Sequence, residues 1–304
     1  MNNLLIGDCR NILPTLEAQS IQCVVTSPPY YNLRDYGVSL QIGQEATYQE
    51  YIESLVDVFR EVKRVLKDDG TVWLNLGDSY AGSGQGGNLG KNKKLKSMTP
   101  LKQTPLAGLK KKDLIGIPWR VAFALQQDGW YLRQDIIWHK PNVMPEAVKD
   151  RCTKSHEYIF LLSKHKNYYF DAEAIKEPVV SIKGNNKTFR NGGVYTKGQS
   201  YFNSKKIEAE THGNKPNESG KRNKRDVWTI PTHPYKGAHF AAFPLKLVIP
   251  CVLAGTREGD VILDPFFGSG TVAEAAALLN RNWLGIDINP DYEPLYKQRL
   301  ALFA

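Results

Sequence analysis

The amino-acid sequence predicts an α/β fold in which a mostly parallel sheet carries helices on both faces. Short apolar segments, typical of buried strands, alternate along the chain with longer segments whose apolar residues recur every three or four positions, as in amphipathic helices. Toward the C-terminus, a buried strand pattern runs directly into a glycine-rich turn and then into a helix pattern. Sheets of this kind bind ligands at the carboxyl ends of their strands, so functional residues are expected there.

The strand and helix patterns can be assigned in chain order. Apolar segments predict strands at 21–27, 71–77, 131–140, 156–164, 261–266 and 283–288, and helical periodicity predicts helices at 48–67, 119–129, 244–255 and 271–279. Asp68-Asp69-Gly70 predicts the end of the first of these helices. The 304 residues suffice for one large domain or two small ones.

Positive charge is concentrated in two segments. The net charge is +9, but residues 91–112 hold eight lysines and no acidic residue, and residues 181–225 hold eleven lysines and arginines against three glutamates. The remaining 237 residues therefore carry a net charge of −7. Two basic segments on an acidic body favour a polyanionic partner over ordinary solvated loops. The second segment also contains aromatic residues that are able to stack on bases, which favours a nucleic acid.

The composition argues against several other classes of protein. No apolar run approaches the roughly 18 residues of a transmembrane helix, and the N-terminus lacks the pattern of a signal peptide. The four cysteines lie far apart without a CxxC pair, which argues against a zinc ribbon or a disulfide framework and suits a reducing compartment. A cytoplasmic protein without a metal is therefore expected.

The segment 261–292 contains the most informative pattern. A buried strand ends at Asp264, the turn FFGSG follows, and a helix begins near Thr271. Glycines in such a turn allow the backbone to approach a ligand closely. About 20 residues further on, Asp287 ends the next strand, where a carboxylate can bind both hydroxyls of a ribose. The turn is neither GxGxxG nor a P-loop, so the pattern predicts a ligand that contains adenosine without phosphates.

Two motifs resemble those of the S-adenosylmethionine-dependent DNA amino-methyltransferases. DPFFGSGTVAEAA (264–276) looks like their motif I, and TSPPYYNLRDYG (26–37) looks like their catalytic motif IV. Further similarities at 4–13, 224–232 and 239–255, the last to motif X, extend the resemblance over most of the chain. The catalytic motif comes first, the basic segment next and the cofactor motif last, an order similar to the circularly permuted β group. The resemblance implies a Rossmann-like methyltransferase fold with basic target-recognition insertions.

The resemblance also implies which residues bind S-adenosylmethionine. Within motif I and the following strand they are Asp264, Phe266, Gly268, Ser269, Gly270, Thr271 and Asp287. Asp8, which follows an apolar strand pattern, would lie near the adenine amine, although a solvated turn aspartate would show the same pattern. Phe243 and Lys246, in the segment similar to motif X, would line the methionine end of the cofactor. Core packing of a helix is the alternative explanation for Phe243.

Ser27-Pro28-Pro29-Tyr30 is the predicted catalytic motif. An exocyclic base amine is a poor nucleophile because its lone pair is delocalised into the ring, so methyl transfer needs acceptors that hold the amine hydrogens in a reactive geometry. The Ser27 hydroxyl and the Pro28 carbonyl can serve as these acceptors, and the two prolines restrict the backbone. Tyr30 can stack on the target base after it leaves the duplex. Tyr31 is able to stack as well, and the pattern does not separate the two tyrosines.

The expected activity is methyl transfer from S-adenosylmethionine to a base amine in duplex DNA. Serine in the catalytic motif resembles the N4-cytosine branch of the family, whereas N6-adenine enzymes more often have aspartate there. N6-adenine remains the main alternative, and an RNA methyltransferase or an inactive nucleic-acid-binding protein are others. A cysteine nucleophile of the type that methylates cytosine C5 is rejected, because Cys251 lies in an apolar helix pattern without a neighbouring charge.

The predicted domain organisation follows the motif order. Residues 1–180, with a basic loop at 81–112, would form the catalytic half, 181–225 the target-recognition region, and 226–304 the cofactor-binding half of the same domain. The expected partner is duplex DNA, alongside a monomeric or homodimeric state and a restriction endonuclease that forms no stable complex with the enzyme. The predicted DNA-binding residues are Lys91, Lys93, Lys94, Lys96, Lys110, Lys111, Lys112, Arg190, Lys205, Lys206, Lys221, Arg222, Lys224 and Arg225.

Overall fold

The computed structural model describes residues 2–33, 36–38, 41–82, 107–179, 220–232 and 243–301. Within these residues the strands are β1 (Asn2–Ile6), β2 (Ile21–Thr26), β3 (Leu66–Leu76), β4 (Tyr131–His139), β5 (His156–Ser163), β6 (Glu177–Pro178), β7 (Lys221–Arg222), β8 (Val227–Thr229), β9 (Val261–Asp264) and β10 (Asn282–Asp287). The helices are α1 (Cys9–Ile12), α2 (Tyr48–Val65), α3 (Ile117–Gln127), α4 (Leu245–Gly255), α5 (Thr271–Leu278) and α6 (Glu293–Leu300), with single 3-10 turns at Leu13–Thr15 and Pro290–Tyr292.

The chain divides into two compact units. The larger unit comprises Met1–Ala174 and Arg225–Ala304, and the smaller comprises Ile175–Lys224. In the described part of the smaller unit, β6 and β7 form an antiparallel pair in which Arg222 Nε donates a hydrogen bond to Glu177 Oε1 at 2.8 Å. The expected target-recognition role of 181–225 stays a prediction.

The larger unit is built on a sheet with the strand order β1-β10-β9-β2-β3-β5-β4-β8. Every neighbouring pair in this sheet is parallel except the two pairs that involve β5, which runs antiparallel to β3 and to β4. The predicted mostly parallel α/β fold is therefore confirmed. Strands β2 and β9 are neighbours inside the sheet, and the strand order runs outward from them in opposite directions, through β3 on one side and through β10 on the other. Open sheets of this kind hold their ligands where the strand order reverses.

Helix α2 has the sequence features of a stable amphipathic helix. Thr47 caps its N-terminus by accepting a hydrogen bond from the Glu50 backbone N–H, while the Glu50 carboxylate accepts one from the Thr47 N–H. Its apolar side chains, Tyr51, Leu55 and Phe59 among them, are fully buried in the core beside the sheet. Burial of this face supplies most of the stability of such a helix.

The segment Asp68-Asp69-Gly70 differs from its prediction as a helix stop. Helix α2 ends at Val65, and strand β3 begins at the next residue and runs through all three positions. The pairing with β2 passes from Ile21–Leu66 to Cys23–Thr71, so this segment forms a bulge in β3. A Cβ atom at Gly70 would lie 2.6 Å from Leu66 Cγ, which explains why glycine occupies the bulge. None of the helices described is long and apolar enough to cross a membrane.

Candidate active site

A cavity of about 750 Å³ lies at the carboxyl ends of β2, β9 and β10. It is lined by all four residues of the predicted catalytic motif, Ser27, Pro28, Pro29 and Tyr30, and by most of the predicted cofactor residues, namely Asp8, Phe243, Asp264, Phe266, Gly268, Ser269, Thr271 and Asp287. The two motifs lie far apart in the sequence and meet because β2 and β9 are adjacent in the sheet. The volume is within the usual range for small-molecule sites, roughly 300–1,000 Å³.

Two residues predicted to bind the cofactor do not line this cavity. Lys246 is exposed on the first turn of α4. Gly270 caps the N-terminus of α5 with a φ of 78°, and a Cβ atom there would lie 2.8 Å from Tyr296 Cβ. Gly270 therefore shapes the turn through its backbone, because a larger residue would combine a strained conformation with a close contact.

The glycine-rich turn is tied to the end of the neighbouring strand β10. The Gly268 backbone N–H donates a hydrogen bond to Asp287 Oδ2 at 2.6 Å, and the Asn289 N–H donates one to Oδ1 at 2.8 Å. Asp287 is only 8% exposed. Burial raises the pKa of its carboxyl group, although the two hydrogen bonds act to lower it. The carboxylate thus stabilises the turn while it lines the cavity.

The predicted catalytic motif is anchored by hydrogen bonds on both sides. Tyr51 Oη donates to the Pro29 carbonyl at 2.9 Å, so this carbonyl is already engaged within the protein. Tyr30 Oη donates to Glu157 Oε2 at 2.8 Å and lies 3.4 Å from Ser27 Oγ. Burial and the neighbouring Glu157 carboxylate raise the pKa of Tyr30 well above its usual value, so Tyr30 remains protonated.

The structure separates the two tyrosines that the sequence leaves equivalent. Tyr30 lines the cavity, and its ring packs so closely on Gly77 that a Cβ atom there would lie 2.5 Å from Tyr30 Cε2. Tyr31 is 1% exposed, contacts the Tyr51 ring at a centroid distance of 5.6 Å and does not line the cavity. Of the two, Tyr30 is the one placed to contact a ligand in this cavity.

Asp8 lines the cavity with its carboxylate already paired. It accepts hydrogen bonds from Arg10 Nε at 3.0 Å, and its Oδ1 accepts one from the Arg10 backbone N–H at 2.9 Å, capping α1. Although burial works in the opposite direction, these interactions with Arg10 lower the pKa of Asp8. Its position is that of a structural cap at the cavity wall, and its contact with an adenine amine stays a prediction.

Several cavity residues were missed by reasoning from the sequence. The charged and polar ones include Asn75 near the end of β3, Lys140 after β4 and Glu157 near the start of β5. Asn75 had a usable signal, because it lies at the carboxyl end of a predicted strand. No sequence signal pointed to Glu157, since it reaches this edge of the sheet only because β5 is antiparallel.

The predicted DNA-binding residues lie partly outside the described structure. This holds for Lys91, Lys93, Lys94, Lys96, Arg190, Lys205 and Lys206. Lys110, Lys111 and Lys112 are exposed. Lys110 Nζ lies 3.2 Å from Asp113 Oδ2, and Lys112 Nζ lies 2.5 Å from Asp150 Oδ2. Lys221 and Arg225 are exposed, and Arg222 and Lys224 are half-buried. Their contact with DNA stays a prediction.

Comparison with known proteins gives a consistent assignment. Residues 21–298 match the N6/N4 DNA methylase family. The chain is 48% identical over 298 residues to the type II methyltransferase M.SmaI of Serratia marcescens, covering 98% of this chain and 90% of the relative. It is 46% identical over 299 residues to the type II methyltransferase M.Cfr9I of Citrobacter freundii, covering 98% of this chain and 87% of the relative.

Two solved structures have a similar fold. PvuII DNA methyltransferase, described as cytosine-N4-specific, superposes with a TM-score of 0.64 at 18% identity and covers 98% of this chain and 86% of its own. A DNA modification methylase of Thermus thermophilus, solved with S-adenosyl-L-methionine, superposes with a TM-score of 0.60 at 24% identity and covers 100% and 94%. The chain belongs to the N6/N4 DNA methylase family and is a DNA methyltransferase that uses S-adenosylmethionine as its methyl donor.

Proposed function

We propose that this DNA methyltransferase methylates the exocyclic N4 amine of cytosine in duplex DNA, at a base that has rotated out of the helix. Ser27 carries the proposal, because it places a neutral hydroxyl in the cavity at the position where N6-adenine members of the family more often have aspartate. N6-adenine methylation by the same mechanism is the alternative.

The catalytic motif would hold the amine through two oxygen atoms. Ser27 Oγ and the Pro28 carbonyl accept the amine hydrogens, which draws the nitrogen toward the tetrahedral geometry of the reaction. The Pro29 carbonyl already accepts a hydrogen bond from Tyr51, which supports assigning the substrate contact to the neighbouring Pro28 carbonyl. Tyr30 would stack on the extruded base, a contact that aromatic side chains commonly provide.

The residues around the glycine turn fit S-adenosylmethionine. When bound, this donor supplies an electrophilic methyl group on a positively charged sulfonium. Asp264 and Asp287 bring two buried carboxyl groups to the cavity, which suits a ligand that is both cationic and rich in hydroxyl groups. Asp287 would bind the ribose, Phe266 would pack beside the adenosine or methionine moiety, and Phe243 would line the methionine end. Lys246 is exposed and does not line the cavity, so its side chain would have to move to reach the donor.

The cysteines support amine rather than carbon methylation. Cys9 is the cysteine that lines the cavity, and burial raises the pKa of its thiol to about 12, so the reactive thiolate is scarce. Cys251 is buried within α4, and its thiol donates to the Leu247 carbonyl at 3.3 Å. Neither thiol is suited to attack a cytosine ring carbon.

The basic segments 91–112 and 181–225 would supply the contacts with DNA phosphates, and the second would also contain much of the base readout. Exposed lysines attract a polyanion regardless of its sequence, whereas readout requires side chains that reach the base edges. We also place the enzyme in the cytoplasm, where it would act beside a restriction endonuclease without forming a stable complex with it.

Nucleoside analysis tests the proposal. Unmethylated genomic DNA is incubated with the protein and S-adenosylmethionine, digested to nucleosides and analysed by mass spectrometry, with Ser27→Ala as the matched control. N4-methylcytosine is the expected product, and N6-methyladenine as the sole product would overturn the proposal. A parallel reaction with structured RNA tests the RNA alternative, because efficient methylation of RNA but not of duplex DNA would contradict a DNA substrate.

A further inference from the structure

The Ser27 hydroxyl is the first member of a hydrogen-bond chain that ends on a half-buried ion pair. Ser27 Oγ lies 3.4 Å from Tyr30 Oη, and Tyr30 Oη lies 2.8 Å from Glu157 Oε2. The other carboxylate oxygen of Glu157 accepts a close hydrogen bond from Lys140 Nζ. Both charged side chains are 16% exposed, and all four residues line the same cavity.

The donors and acceptors of this chain allow one direction of hydrogen bonding. An ionised carboxylate only accepts, and an ammonium group only donates, so Lys140 and Tyr30 both donate to Glu157. Asn75 donates from Nδ2 to Glu157 Oε2 at 3.3 Å and to the Tyr158 carbonyl at 3.0 Å. Its Oδ1 lies 3.2 Å from Tyr30 Oη and is a second acceptor for the same hydroxyl proton.

This direction determines how Ser27 meets its substrate. Tyr30 uses its single proton on the Glu157 side, so toward Ser27 it offers only lone pairs. The Ser27 proton is consequently donated to Tyr30, and the lone pairs of Ser27 Oγ are left to face the cavity. A hydroxyl held in the opposite sense would present its proton to the amine hydrogens and would repel them.

We propose that Glu157 is a positioning residue that orients the Ser27 hydroxyl as a hydrogen-bond acceptor through Tyr30. The inference rests on the proposed role of Ser27 as an acceptor of the amine hydrogens. Glu157 acts without touching the base. Lys140 donates a hydrogen bond to the Glu157 carboxylate, and it is itself held over the Trp138 ring, with Nζ 4.2 Å from the ring centroid.

Stability alone does not account for this ion pair. Removing two charges from much of their water carries a desolvation cost, and well-packed apolar residues often replace inward-facing ion pairs without loss of stability. A carboxylate at this place in the cavity is explained by what an apolar residue cannot provide, which is a group beside Tyr30 Oη that accepts a hydrogen bond and cannot donate one.

The test compares Glu157→Gln with Tyr30→Phe and with the double variant. Glutamine has the shape of glutamate but can also donate, so the direction of the chain is no longer imposed. Each single variant should lower the single-turnover rate of methyl transfer at saturating donor by about tenfold, the effect of about 1.4 kcal/mol of lost transition-state stabilisation. The dissociation constant for S-adenosylmethionine, measured by calorimetry, should change by less than about twofold. The double variant should be no slower than Tyr30→Phe, because both changes break the same chain.

The control removes a similar ion pair elsewhere. Asp260 is 14% exposed, pairs with Lys67 at 3.3 Å and does not line the cavity. Asp260→Asn should lower thermal stability as Glu157→Gln does, while leaving the rate of methyl transfer unchanged. If the unpaired Lys140 prevents Glu157→Gln from folding, the variant that also carries Lys140→Met removes the half-buried charge and allows the same measurement.

Two results would overturn the inference. One is a wild-type rate in a folded Glu157→Gln protein. The other is a double variant whose rate falls by the product of the two single-variant factors. The proposed function is tested separately by Ser27→Ala. If Ser27→Ala has a normal rate, the acceptor role of Ser27 is wrong. If Ser27→Ala is inactive and Glu157→Gln is normal, only the positioning role of Glu157 is wrong.

Discussion

Thr26 donates its hydroxyl proton to Asp264 Oδ1 at a distance of 2.7 Å. Thr26 ends β2 directly before the predicted catalytic motif, and Asp264 ends β9 directly before the glycine turn, so this bond joins the two predicted functional motifs. Thr26 is inaccessible to solvent and Asp264 is 2% exposed. Burial raises the pKa of the Asp264 carboxyl to about 7, although the hydrogen bonds from Thr26 and from the Phe266 backbone oppose the shift.

The elevated pKa of Asp264 predicts that the free protein loses stability as the pH rises from about 4 to about 7. Over this range the folded state retains a proton that the unfolded state, with a pKa near 3.8, has released. One pKa unit corresponds to about 1.4 kcal/mol, so the loss is on the order of a few kcal/mol. Thermal unfolding of the wild type and of Asp264→Asn across this range measures it. The difference between the two proteins should depend on pH, and a constant difference would contradict the prediction.

Asp287→Ala is expected to raise the dissociation constant for S-adenosylmethionine at least about tenfold, the effect of losing a charge-assisted hydrogen bond. The change would remove the predicted ribose ligand and also release the Gly268 and Asn289 backbone N–H groups. Titration calorimetry gives the constant. Asp291→Ala is the control, because Asp291 is exposed nearby and does not line the cavity. An unchanged constant in Asp287→Ala would show that the ribose lies elsewhere.

Tyr30→Ala is expected to lower the rate of methyl transfer by roughly 10- to 100-fold relative to Tyr30→Phe, since base–aromatic stacking contributes about 1–3 kcal/mol. It should be slower than Tyr30→Phe, which keeps the ring and loses only the hydroxyl. Binding of S-adenosylmethionine should remain measurable by calorimetry in both variants. Equal rates for the two would mean that the ring makes no contribution beyond its hydroxyl.

Gly77→Ala is expected to displace the Tyr30 ring. The added Cβ atom would lie 2.5 Å from Tyr30 Cε2 and 2.9 Å from Cδ2, so one of the two residues must shift. Because a small misplacement of a positioning group can reduce the rate about 100-fold, methyl transfer should fall while donor binding stays near normal. A normal rate in single-turnover kinetics would mean that the backbone moves instead of the ring.

Replacement of Lys110, Lys111 and Lys112 by glutamine is expected to weaken DNA binding and to flatten its dependence on salt. Each phosphate contact contributes about 0.9 to the slope of log K against log salt concentration, so the slope should fall by up to about 3. Binding to a labelled duplex at several salt concentrations measures it. Lys297→Gln is the control, because Lys297 is exposed and paired with Glu293 on α6. An unchanged slope would show that these lysines are solvated loop residues that make no phosphate contacts.

The local elements of the fold were accessible from the sequence because they depend on local patterns. The predicted helix 244–255 and strand 283–288 agree with α4 and β10 to within one residue at each end. The prediction at 68–70 was wrong in kind, since the bulge in β3 depends on pairing with β2. Helix α6 was not predicted, because its short segment lacks a clear apolar face.

The sequence by itself determined the α/β class and the two motifs, because residue spacing and apolar periodicity are properties of a contiguous segment, and the resemblance of these motifs indicated the family. Only the tertiary structure decided that β2 lies beside β9, which brings Ser27 and Asp287 to one cavity. It alone decided that β5 is antiparallel, which turns the start of this strand, with Glu157, toward the carboxyl ends of its neighbours. Strand direction and order depend on long-range pairing. Antiparallel β5 is buried over most of its length, like parallel β2, so its burial pattern does not reveal its direction.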